Sequence, residues 1–240
     1  MKILGVRVDN YNLDETLNLV KGYLTDNRQH LIATVNPEMV VLAQKDLTFR
    51  EVLNATDLNL PDGFGVILAS WFLGDKLKER ITGVDFVWQI CALAEKLDKS
   101  VYLLGGQVKV GEAAAAKISK NFPRLKIFSG GNDCQPTDPA IIQDLSAKKP
   151  HIILAAFGHG RQEKWLAENL PRLPFVDIGL GVGGAFDFIA GKIKRAPKFL
   201  RQLGLEWLWR LILQPWRWQR ILTATGRFSW LVVKARFLNN

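Results

Sequence analysis

Cysteine and histidine are scarce in this chain of 240 residues, which contains two cysteines and three histidines. Cys91 and Cys134 lack the close spacing of metal ligands, so we expect two reduced thiols with ordinary structural roles. His30, His151 and His159 lie far apart and outside any zinc-type motif. The sequence therefore predicts neither a metal site nor a disulfide scaffold.

Long apolar runs are also missing. No uncharged stretch approaches the roughly 18 residues of a membrane-spanning helix. The N-terminus, MKILGVRVDN, lacks the charged start, long apolar middle and small-residue cleavage site of a secretory signal. We therefore expect a cytoplasmic protein whose contact with a membrane, if it has one, is peripheral and on the inner face.

Acidic residues are nearly absent from the C-terminal fifth of the chain. Residues 1–191 hold 21 Lys and Arg against 22 Asp and Glu, whereas residues 192–240 hold 11 against one. This shift predicts an α/β domain over 1–191 and a basic, Trp-rich helical appendage over 192–240, called the tail below. A basic segment suits nucleic acid, an anionic membrane or a phosphate-bearing substrate.

Short β-rich runs alternate with helical patterns over residues 1–191. The predicted strands cover 31–35, 57–60, 101–104, 126–128, 151–156 and 175–180, and the predicted helices cover 13–24, 37–44, 65–72, 84–97, 108–121, 139–148 and 162–169. This alternation indicates a Rossmann-like α/β fold, with a mainly parallel sheet between helices. Ligands of such sheets bind at the carboxyl ends of the strands, so the loops TVNPE, PDGFG, GGQ, FGHGRQE and GVGGAFD have priority.

The turn Pro61-Asp62-Gly63 follows the second predicted strand and allows two interpretations. Its residue types are those of an ordinary turn. Alternatively, Asp62 is a general base that removes a proton from a substrate hydroxyl. One carboxylate suffices for direct displacement by an activated hydroxyl, whereas a glycoside hydrolase needs a second at a defined separation.

The run Gly179-Leu180-Gly181-Val182-Gly183-Gly184 matches the G-x-G-x-x-G pattern of dinucleotide sites. The acidic residue expected about 20 positions later falls near Glu206, inside the tail. Close backbone packing or a mononucleotide phosphate explains these glycines better than a nicotinamide cofactor. Because the chain lacks the metal-holding Asp-x-Asp pattern, Arg, Lys or helix N-termini must neutralise any bound diphosphate.

The tail combines tryptophan with arginine. Seven of the nine residues 205–213 are apolar, so an isolated helix here would expose apolar surface. Tryptophan rings sit at headgroup depth in membranes, and arginines attract anionic lipids. An anionic membrane surface is therefore the predicted partner, and nucleic acid is not, because the tail is too apolar.

The segment GVGGAFDFIAGKIKRAPKFLRQLGLEWLWRLILQPWRWQR, together with TVNPEMV, LNLPDGFGV, ERITGVD and GRQEKW, resembles the WecG/TagA/CpsF glycosyltransferases over nearly the whole chain. The resemblance implies an inverting, metal-independent and cofactor-free transferase. It would move N-acetylmannosamine or a related hexosamine from a UDP-sugar to a hydroxyl of polyprenyl-diphosphate-linked N-acetylglucosamine. Such enzymes serve cell-surface polysaccharide synthesis, and they can form homo-oligomers. The chain departs from many relatives at Gly160, where they have Pro, and at Gln214, where they have Glu.

The resemblance also implies roles for particular residues. Asp62 would be the catalytic base, and the tail would form a hinged lid that contacts lipid and completes the active site. The implied substrate-binding residues are Thr34, Asn36, Arg80, Gln162, Asp187, Arg210, Arg217 and Arg220. Two other interpretations remain open at this point: a non-catalytic basic adaptor that binds anionic membrane through its tail, and an oxidoreductase that uses the glycine motif.

Overall fold

The computed structural model describes residues 1–132 and 135–238. The strands are β1 (Lys2–Ile3), β2 (Val6–Arg7), β3 (His30–Val35), β4 (Leu58–Pro61), β5 (Val101–Gly105), β6 (Ile127–Gly130), β7 (Ile152–Ala156) and β8 (Ile178–Gly181). The helices are α1 (Leu13–Tyr23), α2 (Pro37–Ala43), α3 (Leu47–Ala55), α4 (Phe64–Leu73), α5 (Gly83–Lys96), α6 (Val110–Asn121), α7 (Pro139–Lys148), α8 (Arg161–Asn169), α9 (Ala185–Ile189), α10 (Lys198–Gln202), α11 (Glu206–Leu213), α12 (Trp218–Leu222) and α13 (Phe228–Leu238). Short 3₁₀ segments cover Leu170–Arg172 and Pro215–Arg217, and a π-helical segment covers Thr223–Arg227.

Six strands form one sheet in the order β4-β3-β8-β7-β5-β6, and every neighbouring pair is parallel. Strands β1 and β2 form a separate antiparallel pair. The Rossmann-like α/β fold predicted from the sequence is confirmed. Because all six strands run the same way, their carboxyl ends meet at one edge, where ligands of open α/β sheets bind.

The two faces of the sheet bury different side chains because successive strand residues point in opposite directions. On one face, Ile32, Leu103 and Leu180 pack in a cluster that includes residues of α1, α5, α6 and α9. On the other, Val35 and Leu104 lie in clusters with residues of α2, α3, α4, α7 and α8. Helices therefore cover both faces, which explains why the strands read as nearly continuous apolar runs.

Local sequence signals account for most helix starts. Asn12 accepts a hydrogen bond from the amide of Glu15, whose side chain in turn accepts one from the amide of Asn12. Asn36 and Thr82 cap α2 and α5 in a similar way. Helix α3 was not predicted from the sequence, although Asp46 caps it by accepting from the amide of Phe49. The alternating N-terminal run forms the short β1–β2 pair and does not join the main sheet.

Cys91 is a free thiol in the core, and burial raises its pKa to about 12. This placement agrees with the structural role expected for it. The corresponding expectation for Cys134 lies outside the described residues. His30 and His151 also have local partners, since His30 lies between Asp26 and Asp57 and His151 contacts Ser100.

The tail folds back onto the α/β domain through its last helix. Phe228 and Val232 of α13 are buried in the same cluster as Val66 and Ile67 of α4. Many other apolar side chains of the tail are exposed: Phe199, Leu203, Trp207, Leu208, Ile212, Leu213, Trp216, Trp218, Leu222, Trp230, Val233 and Phe237. Within 1–132 and 135–238, no helix has both the length and the apolar character that crossing a membrane requires.

Candidate active site

A cavity of about 500 Å³ lies at the carboxyl ends of the central strands. Thr34 from the end of β3, Asp62 after β4, Ala156 from the end of β7 and Val182 after β8 all line it. Tail residues Arg210, Arg217 and Arg220 complete the wall. Its volume is within the usual range for small-molecule sites, about 300 to 1,000 Å³.

Asp62 is held by backbone groups of two neighbouring elements. Its amide donates to the carbonyl oxygen of Val35 at 2.8 Å, and its Oδ2 accepts from the amide of Gly83, the first residue of α5, at 3.3 Å. A Cβ on Gly83 would lie 3.6 Å from Oδ2 and 3.4 Å from Thr34 Oγ1, at ordinary contact distances, so the start of α5 lies directly beside the carboxylate. Gly63 has a φ of +99°, which lets the chain turn directly after Asp62.

The environment of Asp62 favours its protonated form more than water does. Burial raises the pKa of Asp62 to about 6, and the Glu206 carboxylate adds to the rise. The amide of Gly83 and the guanidinium groups of Arg80 and Arg210 oppose it. A carboxylate with a pKa near 6 is ionised at neutral pH and basic enough to accept a proton, which suits a general base.

The end of β8 joins two more of the predicted site residues. Thr34 Oγ1 donates to the carbonyl oxygen of Gly181 at 3.1 Å, and the amide of Gly183 donates to Gln162 Oε1 at 3.1 Å. The Gln162 Nε2 donates to Glu163 Oε1 at 2.7 Å. A Cβ on Gly181 would lie 2.5 Å from that Glu163 oxygen, so only glycine allows this close packing.

Glu163 fixes the start of α8 from inside the protein. It is fully buried, and its Oε2 accepts from the amide of Gly160 at 2.7 Å. Burial raises the pKa of the Glu163 carboxyl, opposed by its hydrogen bonds to Gln162 and Gly160. Gly160 has a φ of +85°, a conformation that proline cannot adopt.

An ion cluster connects the tail to the α/β domain across the cavity. Arg220 Nε donates to Glu38 Oε2 at 2.8 Å, and His159 Nε2 lies 3.2 Å from the same oxygen. Burial opposes ionisation of Glu38, but His159 and Arg220 lower its pKa to about 2. Glu38 is therefore an anion throughout the physiological range, and it anchors Arg220.

Two further arginines of the tail face the cavity in partly buried positions. Arg210 lies over the ring of Phe188, 4.7 Å from its centroid. Burial lowers the pKa of Arg217 to about 10, and the nearby charges of Arg210 and Arg220 lower it further. Burial and Arg220 also lower the pKa of Arg210. Three clustered cations of this kind repel one another, so an anion bound among them would relieve their repulsion.

A second cavity of about 420 Å³ adjoins the first and shares Asn36, Asp62, Arg210 and Arg217 with it. Its other lining residues are more apolar and include Phe64, Leu68, Trp207 and Ile221, along with Thr82, Arg80, Arg195 and Glu206. Asp62 is therefore accessible from two cavities of different character.

Arg195 lines the second cavity and pairs with a residue at the start of α5, the helix whose first amide binds Asp62. Its guanidinium makes a bidentate ion pair with Asp85, and its Nε lies 3.7 Å from Glu206 Oε1 in α11. Asp85 Oδ2 accepts from Thr82 Oγ1 at 2.7 Å, and Thr82 caps the helix whose first amide binds Asp62. The tail thus contacts the residues that hold Asp62 in place.

The structure brings the predicted site residues together. Eight of them line the first cavity: Thr34, Asn36, Asp62, Gln162, Asp187, Arg210, Arg217 and Arg220. Arg80 lines the second, where its Nη2 also donates to the carbonyl oxygen of Arg201 at 3.2 Å. Five further residues beside the predicted ones were not predicted from the sequence: Glu38, His159, Glu163, Arg195 and Glu206. Glu38, His159 and Glu163 lie in strand-end loops that had priority, but nothing local identified their partners.

The glycine motif at 179–184 packs closely at one end and lines the first cavity at the other. A Cβ on Gly179 would lie 2.9 Å from the side chain of Leu170 and 3.0 Å from that of Leu166. Glycine at this position therefore lets β8 pack closely against the end of α8 and the 3₁₀ segment that follows it. Gly183 has a φ of +52° and open space beside it. Gly183 and Gly184 also line the first cavity. Close packing and a mononucleotide phosphate both stay predictions for the motif.

A parallel sheet whose strand-end cavity holds a carboxylate and a group of arginines is the architecture of an α/β enzyme that handles anionic substrates. In the part of the chain that the structure describes, no group of three or more His, Cys, Asp or Glu is arranged to hold a metal ion. The chain belongs to the glycosyl transferase WecG/TagA/CpsF family, whose model matches residues 1–240. The family assignment made from the sequence is confirmed.

Three relatives of this chain share one enzyme name, N-acetylglucosaminyldiphosphoundecaprenol N-acetyl-beta-D-mannosaminyltransferase. The protein from Bacillus subtilis (strain 168) is 35% identical over 216 residues, which cover 89% of this chain and 84% of the relative. The protein from Bacillus spizizenii is 32% identical over 86% of this chain and 80% of its own. The protein from Staphylococcus aureus (strain MRSA252) is 29% identical over 98% of this chain and 92% of the relative. These similarities identify the chain as a glycosyltransferase, and they favour an enzyme over the adaptor and the oxidoreductase.

Proposed function

We propose that this enzyme transfers N-acetylmannosamine, or a related hexosamine, from a UDP-sugar to a hydroxyl of polyprenyl-diphosphate-linked N-acetylglucosamine. The names of the relatives support the sugar and the lipid-linked acceptor. The observation that carries the proposal is the position of Asp62, a carboxylate with a raised pKa that faces both cavities. In a single displacement the base must reach the acceptor hydroxyl at the point where that hydroxyl meets the anomeric carbon of the donor, which is where two adjoining cavities meet.

The first cavity is assigned to the donor. It is lined by polar strand-end residues and by the three arginines of the tail, which match the charge of a nucleoside diphosphate. As the sugar leaves, negative charge grows on the UDP phosphate. Fixed guanidinium groups would stabilise that charge, which is the role a divalent cation has in other transferases. We therefore propose transfer without a metal.

The second cavity is assigned to the acceptor, because it combines arginines with an apolar wall. The reaction would be a single displacement. Asp62 accepts the proton of the acceptor hydroxyl, the hydroxyl oxygen forms a bond to the anomeric carbon, and the bond from that carbon to the phosphate oxygen breaks, so that UDP leaves with the electron pair. Attack from the side opposite UDP inverts the configuration of the anomeric carbon.

Location follows from the acceptor. A lipid-linked acceptor resides in a membrane, and UDP-sugars are cytoplasmic nucleotides, so the enzyme would act at the inner face of the cell membrane. The exposed tryptophans and the positive charge of the tail support peripheral binding there.

Asp187 lines the donor cavity, where we propose that it contacts the sugar.

The test is a transfer assay with a panel of UDP-sugars, a short-chain lipid-diphosphate N-acetylglucosamine and EDTA. We expect turnover with one donor, and Asp62→Ala should reduce kcat by about 10² to 10⁴-fold while UDP-sugar binding changes little. Asp75→Ala, at an exposed aspartate outside both cavities, is the matched control and should keep full activity.

Each part of the proposal fails on a different result. Activity that disappears in EDTA and returns with a divalent cation would contradict transfer without metal. Full activity of Asp62→Ala would remove the assigned base. If no donor gives turnover while liposome binding is intact, the result would favour the non-catalytic adaptor that binds anionic membrane through its tail.

A further inference from the structure

Helix α4 of the α/β domain carries an apolar stripe on its exposed side. Leu68, Trp71 and Phe72 are 47%, 52% and 45% exposed. Their spacing places them on one face of the helix, and the whole helix, FGVILASWFL, contains no charged residue. A helix on the surface of a soluble domain normally presents charged or polar residues to water, so this face is suited to an apolar partner.

The stripe begins inside the second cavity. Phe64 and Leu68 line that cavity, and so do Trp207 and Ile221 of the tail. Phe64 follows Asp62 closely in the chain, and Leu68 and Phe72 come one and two turns later on the same face, so the apolar surface extends along the helix for about 12 Å. It therefore leads from the reaction centre to the outside of the protein.

The cavity also contains the charges that an acceptor of this kind needs. Arg80, Arg210 and Arg217 lie in it together with Asp62. Their guanidinium groups are suited to a diphosphate, whereas the stripe is suited to hydrocarbon. Hydroxyl-bearing sugar, diphosphate and hydrocarbon chain are the three parts of a polyprenyl-diphosphate-linked sugar, and each part has matching chemistry in this cavity.

We propose that Phe64, Leu68, Trp71 and Phe72 form a subsite for the isoprenoid chain of the acceptor, at the units next to the diphosphate. The subsite rests on the proposed function, because it assigns the second cavity to the acceptor. It belongs to the α/β domain, and the tail residues Trp207 and Ile221 line the same cavity. The enzyme thus selects its acceptor by the hydrocarbon chain as well as by the sugar.

The test uses two water-soluble acceptors with the same sugar diphosphate, one with a single methyl group (the alkyl acceptor) and one with a short isoprenoid chain, so that they differ in the apolar area they can bury. Both are used below their micelle concentrations and without lipid vesicles. For the wild-type enzyme we expect a KM for the isoprenoid acceptor about tenfold lower than for the alkyl acceptor. Leu68→Gln and Phe72→Gln should each bring the ratio of the two KM values close to one.

Leu47→Gln is the matched control, because Leu47 is a leucine of α3 with 56% exposure and lies outside both cavities. It should keep the wild-type KM ratio. Circular dichroism and thermal unfolding should show all three variants folded, because the replaced side chains are exposed.

Three outcomes overturn the proposal. Equal KM values for the two acceptors with wild-type enzyme would reject the subsite and leave the proposed reaction intact. An unchanged KM ratio in Leu68→Gln and Phe72→Gln, combined with weaker binding to anionic vesicles, would show that the stripe contacts bulk lipid instead. If the wild-type enzyme uses neither acceptor with any UDP-sugar, both the proposed function and the subsite fail.

Discussion

At the scale of single residues, the proposed reaction depends on the surroundings of Asp62. Charges of opposite sign act on its pKa: Glu206, the first residue of α11, raises it, and Arg80, which precedes α5, and Arg210 lower it. Glu206 belongs to the tail, so the basicity of Asp62 depends on a residue far away in sequence. Removing the charge of Glu206 should therefore change how the activity depends on pH.

We predict that kcat/KM falls at acidic pH with a midpoint near 6, where Asp62 becomes protonated. In Glu206→Gln the midpoint should move to lower pH, because the variant lacks a negative charge that raises the pKa of Asp62. The measurement is a pH profile of kcat/KM. Glu168→Gln, at an exposed glutamate of α8 outside both cavities, should leave the midpoint in place. A midpoint that moves to higher pH in Glu206→Gln would contradict the assigned interaction.

At the scale of elements, α12 is held against α2 and the loop after β7 by the cluster of Arg220, Glu38 and His159. The depressed pKa of Glu38 sets the pH range of this attachment. A carboxylate with a lowered pKa stabilises the folded state above its ordinary pKa of about 4.3 and loses that contribution as the pH falls toward about 2. The attachment is therefore fully present at physiological pH.

We predict that Glu38→Gln increases the mobility of α12, because Arg220 loses its ionic partner. Hydrogen–deuterium exchange at pH 7 should become faster in peptides that cover 214–222. Glu51→Gln, at an exposed glutamate of α3, serves as the control and should leave these peptides unchanged. Unchanged exchange in Glu38→Gln would mean that packing alone holds the helix.

At the scale of the whole molecule, the tail is part of the same packed structure as the sheet domain. Phe228 is 2% exposed, and it packs near Gly65, where an added Cβ would lie 3.7 Å from its ring. Val66 and Ile67 of α4 share its core cluster. We therefore expect the tail and the domain to unfold in one transition.

Phe228→Ala should lower the free energy of unfolding by about 3 to 5 kcal/mol, the usual cost of truncating a buried phenylalanine. Phe237→Ala, in the same helix but at a side chain that is 71% exposed, should change it by less than about 0.5 kcal/mol. Denaturant unfolding followed by circular dichroism measures both. If Phe228→Ala leaves the main transition unchanged, the tail unfolds independently of the domain.

The parallel sheet could be predicted from the sequence, because six short apolar runs alternate with helices. In the structure, all six strands run in the same direction. The proximity of the strand-end loops could also be predicted, since the carboxyl ends of parallel strands lie at one edge of the sheet. The sequence could not show that Arg220 pairs with Glu38, which lies 182 residues away. Nor could it show that Glu206 affects Asp62, because that effect depends on how α11 packs. The boundary at about residue 191 stays a prediction.

Arg210 and Arg217 belong to the walls of both cavities. An anion that binds in one cavity reduces the positive potential available to an anion in the other. Donor and acceptor diphosphates should therefore bind with negative cooperativity, and by thermodynamic linkage each weakens the other by the same factor. Loss of one diphosphate product would then strengthen the hold on the other, so UDP and the lengthened lipid should leave the enzyme one after the other.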